Sequence, residues 1–268
     1  MRADDVLSVG RHLLVVVAHQ DDEIACSVLL QRVREALIVF ATDGAPAAEF
    51  FWSAYGSRRR YAEVRHAEAL QSVGVLENAG ILFLKDQETD LPFRDQELFR
   101  RLASAAQSLK TVVQQFTPDA LLGPAYEGGH PDHDACSFLV NAVGRALSIP
   151  RWEMPLYHRS SNGSLVHQAF RTSGDGETLL HASQLELKRR EEMLSKYASQ
   201  RDLPKFVSGG VERFRPQPDY DYSQPPHPGA LNYEVWGWPM NGSDLCAAFQ
   251  RHGAQRRAAS ASGETSLA

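Results

Sequence analysis

The chain has 268 residues, 43% of them hydrophobic and 23% charged, with a net charge of −5, a balance expected of a soluble globular protein with one sizeable core. Its dense cationic runs are confined to Arg58-Arg59-Arg60 and Lys188-Arg189-Arg190, both in helix-like segments, which argues against a nucleic-acid partner. Cys26, Cys136 and Cys246 are too few and too scattered for a disulfide framework or a CxxC zinc knuckle.

The first apolar run, Leu13 to Ala18, is too short for a signal-peptide core or a membrane span and reads as a buried strand. The expected location is therefore cytoplasmic. The run does not end in Gly, Asn or Pro but in His19, Gln20, Asp21, Asp22 and Glu23. A helix is expected over Ile24–Val33, a second buried strand over Ala36–Ala41 and a helix over Ser57–Val73. Strand Ile81–Leu84, a long amphipathic helix Gln96–Phe116, strand Ala120–Gly123 and a helix from His133 to about Leu147 continue the alternation. Short apolar runs separated by helices imply an α/β fold: a Rossmann-like, doubly wound, mostly parallel sheet with helices on both faces. Ligands of such sheets bind at the carboxyl ends of the strands.

Beyond Pro150, strands are expected at Trp152–His158 and Leu165–Phe170 and a charged helix at Ser183–Tyr197. Residues 204–240, rich in Pro, Tyr and Trp, read as an irregular wrapping segment whose rings pin it to the core more readily than they line a sugar platform. His227, between Pro226 and Pro228, sits in this stretch, and its role is left open. Residues 1–252 are expected to form one domain, and 253–268, small and polar, a flexible tail.

Two clusters share one address. His19 and Asp22 follow the first strand; His130, Asp132 and His133 follow Ala120–Gly123. Adjacent acids repel unless a cation or protons compensate. If the two strands are neighbours, His19, Asp22 and His133 can form a two-His-one-carboxylate set with an open position, the arrangement of catalytic zinc. Either cluster alone is an ordinary polar turn; their coincidence at two strand ends is the signal. Cys26 and Cys136 lie near these residues but fit an apolar helix face better than a thiolate ligand. Nucleotide binding fails on chemistry, because HQDDE offers bulk and negative charge where a pyrophosphate needs glycines and free N–H groups.

AHQDDE resembles the (A/P)HPDDE signature, and GGHPDH the HPDH signature, of the LmbE-like or PIG-L family of zinc-dependent N-deacetylases acting on N-acetylglucosamine-type sugars. The likeness runs from about Leu13 to Arg145. It implies His19, Asp22 and His133 as zinc ligands, Asp21 as general base and His130 as a second catalytic group. It also implies Arg65, Glu68 and Asp86 as substrate-binding residues. Gln20 departs from the family's proline, and Gly44-Ala45 from a frequent Gly-Glu. Fe(II), Co(II) or Mn(II) suits the same donor set.

Amide hydrolysis further needs a donor for the oxyanion, for which Tyr126 or protonated His130 is nominated. The implied activity is removal of an N-acetyl group from a small-molecule amino sugar or conjugate. Two alternatives stand beside it: a zinc amidase for a larger acyl or thiol-conjugate amide of a glucosaminyl compound, and a non-catalytic metal-bearing sugar-binding module. Oligomeric state leaves no mark in the sequence.

Overall fold

One strand buried on both faces organises the architecture. In β1 (His12–Val17) the side chains of Leu13, Val15 and Val17 enter one core and those of Leu14 and Val16 the other, all five fully buried. Each contributes about 1.5–3 kcal/mol relative to exposure. The structure is a computed structural model describing residues 11–172, 176–202, 207 and 209–261, with side chains through 255.

After β1 come α1 (Ser27–Arg32), β2 (Glu35–Phe40), α2 (Arg58–Val73), β3 (Ala79–Phe83), α3 (Leu102–Phe116), β4 (Ala120–Pro124), α4 (Pro131–Leu147) and β5 (Arg151–Met154). β6 (Tyr157–Arg159), β7 (Leu165–His167), β8 (Thr178–His181), α5 (Gln184–Leu194), β9 (Val211–Pro216), α6 (Asn232–Val235) and α7 (Gly242–Ala261) complete the described chain. The main sheet has the order β3-β2-β1-β4-β5-β9-β8, parallel through β5 and antiparallel at β9 and β8; β6 and β7 form a separate ribbon. Side chains of α3, α4 and α7 cover one face and those of α1, α2 and α5 the other, as Leu109, Phe138 and Leu245 against Leu29, Ala69 and Met193 show. The fold is the expected doubly wound α/β sheet.

β1 pairs directly with both β2 and β4. The chain leaves β1 toward one edge and returns beside it from the other, so a crevice opens between the carboxyl ends of β1 and β4. Both polar clusters sit there.

Several boundaries differ from expectation for identifiable reasons. The helix expected from Ile24 begins as a 3-10 turn, Asp22–Cys26, and α1 starts at Ser27, where the buried Glu212 carboxylate accepts from the N–H groups of Val28 (2.7 Å) and Leu29 (3.0 Å). The expected Gln96–Phe116 helix starts later: Gln96 has φ 68°, a 3-10 turn spans Leu98–Arg101 and α3 follows, with the Gln96 and Leu98 N–H groups donating to Asp132 at 2.6 and 3.1 Å. Pro155 divides the expected Trp152–His158 strand into β5 and β6. The wrapping segment contains β9 and α6, and the expected tail is helical as far as Ala261; residues 262–268 lie outside those described.

Candidate active site

The loop after β1 is bent hard. Asp21 has φ 135° and ψ −20°, a conformation costing about 1–3 kcal/mol for a residue with a Cβ. Its neighbours hold it there. The Asp21 N–H donates to Glu23 Oε2 at 3.0 Å, and the other Glu23 oxygen accepts from Tyr197 (2.6 Å) and Ser72 (3.0 Å). Asp22 turns back on the strand end, its Oδ2 accepting from the N–H groups of His19 (2.8 Å) and Ala18 (3.2 Å).

Gln20 replaces the rigidity of a proline with a hydrogen bond. Fully buried, it donates from Nε2 to the Thr42 carbonyl at 2.9 Å. Its other amide atom lies 1.9 Å from where a Cβ on Gly44 would be, and Gly44 has φ +62°, so glycine is required beside this glutamine. Ala45 is fully buried and presents no polar group to a ligand.

The second loop is preset by α4. His130 is its N-cap, with Nδ1 accepting from the Asp132 N–H at 3.1 Å. Pro131 occupies the first helical position, where a missing N–H costs least. Because Nδ1 accepts, the neutral His130 ring carries its hydrogen on Nε2, 3.6 Å from Asp95 Oδ1. Burial, reinforced by His19 and His133, holds the His130 pKa well below its ordinary value, so the ring acts as a neutral hydrogen-bond donor.

The two loops meet. His19 Nδ1, His133 Nε2 and Asp22 Oδ2 form a triangle with edges of 3.3, 3.2 and 3.5 Å. A tetrahedral ion with donors at about 2.0–2.1 Å separates those donors by about 3.3 Å, so this face fits one small divalent ion. Two further sets of ligand-type atoms overlap it, His19 with His130 and His133, and His19 with Asp95, His130 and Asp132. The Asp22 triangle uses His19 Nδ1 and leaves its Nε2 facing Asp95 (3.3 Å) and Asp132 (3.5 Å). A carboxylate on the far nitrogen of a ligating imidazole fixes its tautomer and orientation.

The electrostatics agree. Burial acts to lower the His19 pKa, but Asp95, Asp132 and Asp22 together raise it well above 6.5; the cluster is a place for positive charge. Burial raises Asp21 to about 6 against the opposing Arg65 guanidinium. Asp22, although buried, is drawn well below its ordinary value by His133 and His19. Arg65 approaches Asp21 Oδ1 at 3.3 Å and also donates to the Gln20 carbonyl.

A cavity of about 820 Å3 opens over these groups, lined by His19, Asp21, Asp22, Arg65, His130 and His133 among others. Three expected site residues lie elsewhere. Tyr126 donates to the Gln224 carbonyl at 2.9 Å and packs against Tyr220, Tyr222 and Phe249 in the core, away from the cavity. Asp86 pairs with Arg101 and accepts from the Glu88 N–H, outside the cavity. Glu68 accepts from the Ser199 N–H (2.8 Å) and hydroxyl (2.6 Å), so it fixes a cavity-lining loop instead of facing a ligand. His227 accepts from the Gly229 N–H and does not line the cavity.

Sequence reasoning missed Asp95, which lines the cavity beside His19, and gave Asp132 no role; the spacing of HPDH was the one available signal for Asp132. It also missed Tyr157, which borders the cavity with its ring edge-on to His133 at 5.3 Å between centroids. Burial, together with Asp22, Asp95 and Asp21, pushes the Tyr157 phenol well above its ordinary value, so it keeps its proton. The aromatic segment divides: Tyr222 and Tyr233 enter the core, Tyr220 and Trp238 pack against it, and Trp236 and Trp238 line the cavity. Among the described residues, no helix is long and apolar enough to cross a membrane.

Comparison with known proteins adds three findings. No curated protein matches the chain. Among solved structures, the A40926 pseudoaglycone deacetylase Dbv21 superposes with a TM-score of 0.57 at 19% identity, covering 77% of this chain and 96% of that one. A deacetylase triple mutant of the teicoplanin pathway gives 0.56 at 16%, covering 76% and 97%. GalB, a 4-carboxy-2-hydroxymuconate hydratase from Pseudomonas putida KT2440, gives 0.53 at 13%, covering 78% and 96%. At these identities the likeness establishes the fold, and a hydratase sharing it shows that the fold alone does not select a reaction. The sequence match is more specific: residues 14–143, which contain both strand-end clusters, match the GlcNAc-PI de-N-acetylase family. The chain therefore carries, over residues 14–143, a domain of the PIG-L (GlcNAc-PI de-N-acetylase) family.

Proposed function

We propose that the protein is a zinc-dependent N-deacetylase that releases acetate from an N-acetylglucosamine-type amino sugar or conjugate. The observation that carries this reading is the His19, Asp22 and His133 triangle, with edges of 3.2–3.5 Å, beside the strained Asp21, whose carboxylate pairs with Arg65. The PIG-L match supports the reaction class, as do the fold neighbours described as deacetylases of teicoplanin and A40926 pseudoaglycone.

His19, Asp22 and His133 would hold the ion. Bound zinc supplies a Lewis acid and lowers the pKa of a coordinated water to about 7. Asp21 takes the proton of the attacking water; Arg65, against its Oδ1, orients the carboxylate and presents a cation toward the sugar. The His130 Nε2–H and the Tyr157 hydroxyl donate to the acetyl oxygen as it gains charge, which places the oxyanion task on Tyr157 in place of Tyr126. The proton held by Asp21 passes to the departing amine, giving acetate and the free amino sugar. Asp95 and Asp132 keep the far nitrogen of His19 engaged.

The test is a pair of variants loaded with zinc, iron(II), cobalt(II) or manganese(II) in turn. Metal identity needs this control because one fold neighbour is described as a zinc-inhibited form. His133→Ala should lose most bound metal, whereas Asp21→Asn should keep it and lose acetate release by about 10²–10⁴-fold. Equal metal loss in both variants would make Asp21 a ligand. Metal-loaded wild type without activity on a broad panel of amides would leave a sugar-binding module.

A further inference from the structure

Resting on the deacetylase reading, we infer that the substrate carries a bulky apolar aglycone, held at the mouth of the cavity by Phe50, Phe51 and Trp236. Of the eight large hydrophobic side chains exposed among the described residues, these three line this one cavity, and Val235 adjoins Trp236. Phe50 is 83% exposed, Phe51 37% and Trp236 45%, whereas His133 on the floor is 2% exposed. Clustered exposed apolar surface beside a functional site marks where a ligand is covered.

The aromatic surface is continuous with the metal centre. From His133 the path runs to Tyr157 (5.3 Å between centroids), Trp236 (6.3 Å), Trp238 (5.1 Å) and back to His130 (4.8 Å). Phe50 and Phe51 meet edge to face at 5.1 Å in the 3-10 turn Glu49–Phe51 after β2. The volume of about 820 Å3 lies in the upper part of the roughly 300–1,000 Å3 that takes a drug-sized ligand, more than one amino sugar fills.

The order of groups fixes the occupant. The scissile carbonyl must reach the buried His130 and His133, so the sugar side of the amide extends toward the exposed Phe50, Phe51 and Trp236, and a group on the anomeric carbon, next to the carbon that bears the amide, meets them. Tyr157, Trp236 and Trp238 lie beyond the family match at residues 14–143, so the apolar wall on that side belongs to this chain's own C-terminal region.

The test compares amide hydrolysis by the metal-loaded full chain, read as release of the free amine, for four probes: N-acetylglucosamine, its octyl β-glycoside, its p-nitrophenyl β-glycoside, and N-hexanoylglucosamine. The octyl and aryl glycosides should exceed the free sugar in kcat/KM by about ten- to a hundredfold. Phe50→Ala and Trp236→Ala should bring that ratio toward one, and Phe50→Trp should preserve it. Quenching of tryptophan fluorescence by the octyl glycoside should be saturable in the wild type and weakened in Trp236→Ala. Equal kcat/KM for free sugar and glycosides, or a preference that follows the hexanoyl group, overturns the inference while leaving the deacetylase intact. Absence of release from every probe instead overturns the deacetylase reading.

Discussion

Residues 12–147 and residues 151–261 differ in how they serve the site. The first stretch holds every donor of the His19, Asp22 and His133 triangle on two adjacent strand ends. The second contributes no recognisable motif, yet it braces the first at several points. Glu212 of β9 caps α1 and pairs with Arg190 of α5 at 2.7 Å. Tyr197 holds Glu23, which in turn holds Asp21; Ser199 engages Glu68; Trp238 stands edge-on to His130. Reactive groups can be inherited as short motifs, but the angles they hold depend on partners more than a hundred residues away.

If the C-terminal region is a structural brace, its buried ion pair should matter most. Glu212→Ala, which leaves Arg190 buried without its carboxylate, should cost about 3–5 kcal/mol in urea unfolding. A loss under about 1 kcal/mol, within the range of an ordinary surface change, would make the two regions energetically separate.

The contrast sharpens at the two tyrosines. Tyr157→Phe should lower kcat by about 10²–10³-fold, as removal of one oxyanion donor does, with zinc content unchanged by elemental analysis. Tyr126→Phe removes the hydroxyl's contacts with the Gln224 carbonyl and Cys246 Sγ and should cost about 0.5–1.5 kcal/mol of stability while kcat stays near that of the wild type. Reversal of the two results would return the oxyanion role to the N-terminal region.

The smallest effect tests the joint between α1 and α5, where Arg32 pairs with Glu186 at 2.7 Å. The Arg32 hydrogen bond, with help from Ser183, lowers the Glu186 pKa from 4.5 to about 2. A depressed carboxylate pKa stabilises the fold fully above the unfolded value, and that stability is lost as pH falls through the folded value. The stability of the wild type should therefore decline between pH 4.5 and about 2 more steeply than that of Glu186→Gln. Parallel unfolding curves over that window would show that the joint carries no such linkage.

The sheet was legible because β1, β2 and β4 are short apolar runs followed by polar residues, a local pattern that needs no knowledge of neighbours. β9 was not, since Glu212 occupies one of its two buried positions and its partner Arg190 lies on a separate helix. The same limit hid Asp95, whose N–H donates to Asp43 from a loop with no motif of its own.

Sequence by itself determined the strand-helix alternation and which His and Asp residues sit at strand ends, because periodicity and motif spacing are properties of adjacent residues. Tertiary structure alone decided that β1 and β4 are neighbours, that Tyr157 and not Tyr126 borders the cavity, and that Trp236 and Trp238 reach the cavity while Tyr222 and Tyr233 are buried in the core. The reason is that an aromatic residue has the same local preferences whether its ring meets a core or a cavity. Which it meets depends on the strands and helices that close around it from distant parts of the chain.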